Sequence, residues 1–260
     1  MSIFELVNSL DIQKEYQKFN EELTDYFIWY NHRSMSYFEY LEYSGIFRTW
    51  KERDTFLYVD EYLNFIGVKN ENHFKSKISQ TEFLYYLEFL INIFKISTLR
   101  LQENEEIIIE SLEKNIIIIL NKMGYRICLD KENERIIIVR KDSDLDSVVK
   151  DMDIDLATLL IRYNDFRIQK DIFEKHSILK KIDLYIEGNK QVFKQKDKST
   201  YDLIGKIVNN YGINHPIKID EIKLKDEKEI INAYDDCYKL MIHLIRSVEF
   251  SKIKEKYETI

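Results

Sequence analysis

A single proline, Pro216, and six glycines interrupt 260 residues, and this scarcity constrains the chain more than any motif. Tight turns draw on residues that tolerate special backbone angles, so an architecture built from many short strands would be starved of them. Disorder is excluded as well, because 45% of the residues are apolar and the chain carries eighteen tyrosines and fifteen phenylalanines. The expected fold is mainly α, with helical bundle domains and one small β-hairpin near residues 125–140. At this length there is room for one large domain or two modest ones.

Periodicity places the helices. Phe19, Leu23, Tyr26, Phe27 and Tyr30 recur at steps of three and four, which predicts helix across residues 2–31. Tyr37 to Phe47 repeats the pattern up to Gly45, and Phe56, Val59, Leu63 and Phe65 make a short helix stopped by Gly67. Ser79 or Thr81 can cap the next, long helix. Within it, Glu88, Asn92, Lys95 and Arg100 break the apolar run Phe83 to Leu101, which suits a buried helix rather than a membrane span. Glu103 to Met123 mixes β-branched runs with helical spacing, and Gly124 is a natural helix stop, so helix is expected. Two strand-forming runs, Tyr125 to Leu129 and Arg135 to Arg140, flank the polar turn Lys131-Glu132-Asn133 and predict the one sheet.

Beyond it, helices are expected from Ser143, over Leu156 to Arg167, Ile168 to Tyr185 and Tyr201 to Tyr211, and from about Asp226 to Tyr257. The polar stretch Gly188 to Ser199 reads as an exposed loop. A domain boundary is placed near residue 141, giving an N-terminal helical domain, 1–141, that ends in the hairpin, and a second helical domain, 142–260.

The formal charge of −7 makes the whole chain a poor cationic glove for nucleic acid. Cys128 and Cys237 lie far apart and outside any C-x-x-C, which reads as two buried reduced thiols. The first eleven residues lack a basic leader, and no apolar stretch is long enough to span a bilayer, so a cytoplasmic protein without membrane contact is expected.

Most routes to chemistry fail on spacing. There is no H-x-x-x-H, phosphate-binding loop or nucleophile elbow, and no metal or cofactor is expected. Asp151, Asp153 and Asp155 read as an acidic turn ahead of a helix rather than a cation site. Asn31-His32-Arg33 sits where an aromatic helix ends. It could read a phosphate or act on a hydroxyl, although a polar helix terminus explains it more simply. His176 with Lys175, Lys180, Lys181, Lys190, Lys194, Lys196 and Lys198 forms either a solvated face or a cationic strip for RNA phosphates. Candidate RNA-binding residues there are Lys180, Lys181, Lys190 and Lys194. The most unusual polar cluster is Asn209-Asn210-Tyr211-Gly212-Ile213-Asn214-His215-Pro216. It has the chemistry of a helix stop, and His215 in it could also serve as a general acid or base.

The order of several segments carries a resemblance. Leu120-Asn121-Lys122-Met123-Gly124-Tyr125 leads to a hairpin closing on Ile138-Val139-Arg140-Lys141. Leu159-Leu160-Ile161-Arg162-Tyr163-Asn164, Asp171 to Ile182, Ile207 to His215 and Ala233-Tyr234-Asp235-Asp236-Cys237-Tyr238 follow. Over about residues 105–250 the chain resembles bacterial abortive-infection proteins of the AbiJ type, whose last domain belongs to the HEPN superfamily. The resemblance implies a helical, usually dimeric, metal-independent endoribonuclease acting in antiphage defence as a toxin. In the family's motif an arginine holds the scissile phosphate and a histidine shuttles a proton. Here Asn214 stands at the arginine position, ahead of His215. The catalytic set implied is His215 and Asn214, with Asn210 or Arg162 brought in by folding. The partners implied are a second copy of the chain, an RNA substrate, and a phage-derived or operon-encoded protein. The alternative is a non-catalytic sensor, antitoxin-like or scaffold subunit of a defence complex. An acidic surface would suit it.

Overall fold

The computed structural model describes residues 10–25, 27–71, 73–98, 101–130, 133–149, 152–214 and 226–258. The protein is mainly helical, with small two-stranded antiparallel sheets. It divides into two compact units. One comprises residues 1–129 with 134–138, the other 130–133 with 139–260.

In the first unit, helix Gln80–Ser97 is the central post. Ser79 accepts from the Glu82 N–H while the Glu82 carboxylate accepts from the Ser79 N–H, a capping box that fixes the helix start. Phe83, Leu84, Leu87, Leu90, Ile91 and Phe94 are buried on several sides of it, so this helix is surrounded rather than amphipathic. Two of its polar interruptions, Glu88 and Asn92, are spent on the hairpin of strands Tyr125–Asp130 and Arg135–Arg140. The Asn92 amide receives the Ile136 N–H at 2.9 Å and donates to the Ile136 carbonyl at 2.8 Å, and Glu88 Oε2 accepts from the Ile138 N–H at 3.0 Å. These bonds satisfy backbone groups that burial would otherwise leave orphaned. Helix Glu103–Lys122 forms as its spacing predicts. Ile109, Leu112, Ile116 and Ile119 point inward, and Gly124 at φ 80° follows its end.

The predicted helix across 2–31 holds only in part. Residues 1–9 lie outside the described residues. Helix Ile12–Thr24 buries Tyr16, Phe19 and Leu23, then stops. Strands Ile28–Tyr30 and Arg33–Met35 follow as a hairpin, and Lys69–Asn70 pairs with His73–Phe74, so the hairpin near 125–140 is not the one sheet. Asn31-His32-Arg33 is accordingly not a helix terminus. Asn31 (φ 50°) and His32 (φ 65°) form a two-residue turn with both central residues left-handed, the geometry whose twist matches paired strands. Asparagine tolerates it, whereas at His32 it costs about 1 kcal/mol or more.

The second unit is a helical bundle around helix Glu227–Glu258, which packs against helices Ser143–Val148, Ile172–Gly188, Lys190–Lys196 and Lys198–Asn210. Helix Ile154–Tyr163 packs on helix Ile172–Gly188. Asp142, Asp153, Asp171 and Asp197 each cap a helix N-terminus by accepting backbone N–H bonds, and this accounts for Asp153 of the acidic turn. The stretch read as a loop, 188–199, is mostly the helix Lys190–Lys196. Phe193, only 2% exposed, pins it to the core and overrides its polar composition.

Candidate functional site

Helix Lys198–Asn210 ends in a Schellman-type turn. The Tyr211 N–H donates to the Ile207 carbonyl, Gly212 is left-handed at φ 68°, and the Ile213 N–H reaches back to the Val208 carbonyl at 2.9 Å. Ile213 is fully buried, so the turn is anchored by an apolar side chain and exposes the polar residues on either side of it, Asn210 and Asn214.

Two flanking helices hold this turn. From helix Ile172–Gly188, the buried His176 places Nε2 3.2 Å from the Gly212 carbonyl, and the Asn214 side chain favours the ionised form of Asp183. From helix Glu227–Glu258, the Tyr234 hydroxyl donates to the Tyr211 carbonyl and Glu229 accepts from the Tyr211 hydroxyl at 3.0 Å. Asp183 is 3% exposed, and its Oδ2 has no hydrogen-bond partner among the described residues. Burial raises its carboxyl above the ordinary range, Asn214 opposes that shift, and the neighbouring Glu187 adds to it. The Cys237 thiol is pushed up to about 12 by burial, with the Asp183 charge contributing, which leaves it inert as a nucleophile.

The sequence-predicted residues distribute unevenly. Asn210 and Asn214 are both exposed at the ends of the turn, while His215 and Pro216 lie outside the described residues. Arg162 sits in the last turn of helix Ile154–Tyr163, on a different helix pair from the two asparagines. The basic run forms neither one solvated face nor one continuous strip, since two of its members turn inward. Lys175 and His176 face inward and are buried, because helical spacing puts them on the stripe shared by Ile178, Leu179 and Ile182. Lys190 and Lys194 pack around the Tyr201 ring. The Lys194 ammonium is 4.9 Å from its centroid, and the two lysines lie 3.6 and 3.9 Å from Glu187 and Asp202 respectively. Lys180 is half-buried and Lys181 exposed on helix Ile172–Gly188.

Reading the sequence missed a second polar cluster in this unit. The Lys175 ammonium, 3% exposed, pairs with Asp235 and lies 4.5 Å from the Tyr163 ring centroid. The Tyr163 hydroxyl donates to Asp235 at 3.0 Å, and its ring stacks on Tyr238 at 4.0 Å. Tyr238 in turn donates to the Leu160 carbonyl at 2.7 Å and accepts from the Asn164 amide. Burial lowers the Lys175 ammonium below its ordinary range. Asp235 pulls the other way, and Arg140 reinforces the drop. The available signal was a lysine on an apolar stripe, which needs a buried acceptor.

Neither cysteine is in a disulfide, and only Cys237 is buried as expected, since Cys128 is half-buried on its strand and accepts from the Arg126 guanidinium. Among the described residues, no group of three or more His, Cys, Asp and Glu side chains is arranged to hold a metal ion. No helix among them is long and apolar enough to cross a membrane. No family model, curated protein or solved structure matches the chain.

Proposed function

We propose that the chain is an abortive-infection defence protein whose C-terminal unit is a HEPN-like RNA-cleaving toxin or a degenerate relative of one. The observation that supports this reading is the turn Tyr211–Asn214, gripped by His176 and next to a buried carboxylate, Asp183, at the segment where the resemblance puts the family's motif. Such a grip gives a fixed place for a catalytic group. In this reading His215 moves the proton during cleavage of host RNA. Asn210 and Asn214 face the phosphate, and a second copy of the chain, through an arginine such as Arg162, supplies the missing positive charge. Its setting is the cytoplasm, and its partners are a second copy of the chain and a phage-derived or operon-encoded protein.

Induced expression of wild type and His215→Ala, scored for growth arrest and RNA integrity, tests it. Wild type is expected to arrest growth with cut RNA, and His215→Ala to do neither. Arrest that survives the substitution removes the catalytic reading. The second reading, a non-catalytic sensor, antitoxin-like or scaffold subunit, is favoured by Asn214, which carries no charge where the family's motif has arginine. It predicts intact RNA on expression and loss of phage protection on deletion.

A further inference from the structure

We propose that the hairpin Ile28–Met35 and the end of helix Tyr37–Tyr43 form a binding site for an unpaired nucleotide. The site lies in the first unit, is independent of the turn at Asn214, and requires binding only, not cleavage.

The pairing register builds it. Tyr30 lies opposite Arg33 and Ile28 opposite Met35, so these four residues share one face of the hairpin. Ile28 and Met35 are buried at the base of that face, leaving Tyr30 and Arg33 nearer the tip. There, Tyr30, Asn31, Arg33, Met35 and Tyr43 line a cavity of about 310 Å³, with no acidic residue among them. That volume lies at the lower end of small-molecule sites and fits one base with its sugar-phosphate at the mouth.

The lining has the chemistry of a nucleotide. The Tyr30 ring is set edge-to-face against the buried Tyr40 at 5.4 Å, which fixes it as one wall. Tyr43, one helical turn after Tyr40, is 71% exposed and offers a second ring for stacking. The side chains of Asn31, Arg33 and Tyr43 make no hydrogen bond or ion pair with another described residue. The guanidinium is therefore unspent and suited to a phosphate, and the Asn31 amide can both donate to and accept from a base edge. The left-handed backbone at Asn31 and His32 holds the hairpin tip in this shape. A larger cavity in this unit, about 470 Å³ between helices Ile12–Thr24 and Glu103–Lys122, is lined by Glu15, Glu21 and Glu22 against Lys18, and its net negative charge is the wrong sign for phosphate.

The test measures binding to the full chain. The probes are a short fluorescein-labelled oligo(A) RNA, read by anisotropy, and 5′-AMP and adenosine, read by calorimetry. Tyr43→Ala and Arg33→Gln are each expected to weaken binding about tenfold or more, and Tyr43→Phe to retain it. Trp29→Ala, on the opposite face of the hairpin, is expected to leave it unchanged. Adenosine should bind wild type as weakly as 5′-AMP binds Arg33→Gln. Equal affinity for 5′-AMP and the strand identifies a free nucleotide as the ligand. Tighter, salt-sensitive binding of the strand identifies single-stranded RNA. Affinities of both variants within about twofold of wild type overturn the proposal. So does wild type that binds none of the probes at millimolar concentration.

Discussion

Asp235→Asn isolates the energetics of the buried lysine. The substitution keeps an oxygen for the Tyr163 hydroxyl but removes the charge that pairs with Lys175 among the described residues. Stripping one partner from a buried pair costs about 3–5 kcal/mol, because the remaining charge is stranded. The Asp235 side chain is 38% exposed while that of Lys175 is 4% exposed, so water screens one side of the pair and the cost falls to or below the bottom of that range, ~2–3 kcal/mol. For a unit of this size that lowers the melting temperature by roughly 6–15 °C. The double variant Lys175→Met with Asp235→Leu removes both charges and should return to within about 1 kcal/mol of wild type. The pH dependence supplies the sign. Lys175 already titrates below its ordinary value, and without Asp235 it drops further. Between that lowered value and the unfolded value of about 10.4, the unfolded chain binds more protons than the folded one, so stability rises with pH. The deficit of Asp235→Asn against wild type should therefore shrink as pH rises from about 7 to 10. Urea unfolding followed by far-UV circular dichroism measures all of this. A deficit below about 0.5 kcal/mol, or one that does not change with pH, would refute the reasoning.

Three further outcomes follow from named contacts. Gly212→Ala places a side chain at φ 68° with no atom in its way, so the cost is backbone strain alone, about 1–2 kcal/mol in urea unfolding. Asp183→Asn should raise the melting temperature at pH 7, because burial holds this carboxyl above its ordinary value and folding disfavours the ionised form. The folded state binds the extra proton above about pH 3.9, so stability falls as pH climbs through that window, and the advantage of the variant should vanish near pH 4. Asn92→Leu leaves the N–H and carbonyl of Ile136 without their side-chain partner and should cost about 2–4 kcal/mol, read as a lower urea midpoint.

What was legible in the sequence follows from what periodicity reports. Inward stripes such as Ile109, Leu112, Ile116 and Ile119 were readable because a helix repeats its buried face every three or four residues. The hairpin Ile28–Met35 was not. Phe27 and Tyr30 continue the three- and four-residue steps of Phe19 and Leu23, and an Asn-His turn lacks the glycine that marks such hairpins. The helix Lys190–Lys196 was hidden for the opposite reason, since Phe193 alone carries its burial. At the candidate turn, Gly212 announced the stop, while Asp183 and His176 came from a helix whose pairing with that turn no local pattern encodes.

The same limit explains the misread cations and shows how to correct it. Lys175 and His176 were grouped with surface lysines by charge, although their spacing from Ile178, Leu179 and Ile182 already put them on the inward stripe. A stripe tells which way a side chain faces but not which helix it meets. Charge pairing in a core narrows the choice, because an inward ammonium needs a carboxylate within its reach, even a half-buried one. Asp235 is such an acid, three residues before the buried Tyr238 on helix Glu227–Glu258. Reading buried charges as pairs between stripes would have joined helices Ile172–Gly188 and Glu227–Glu258 from the residues alone.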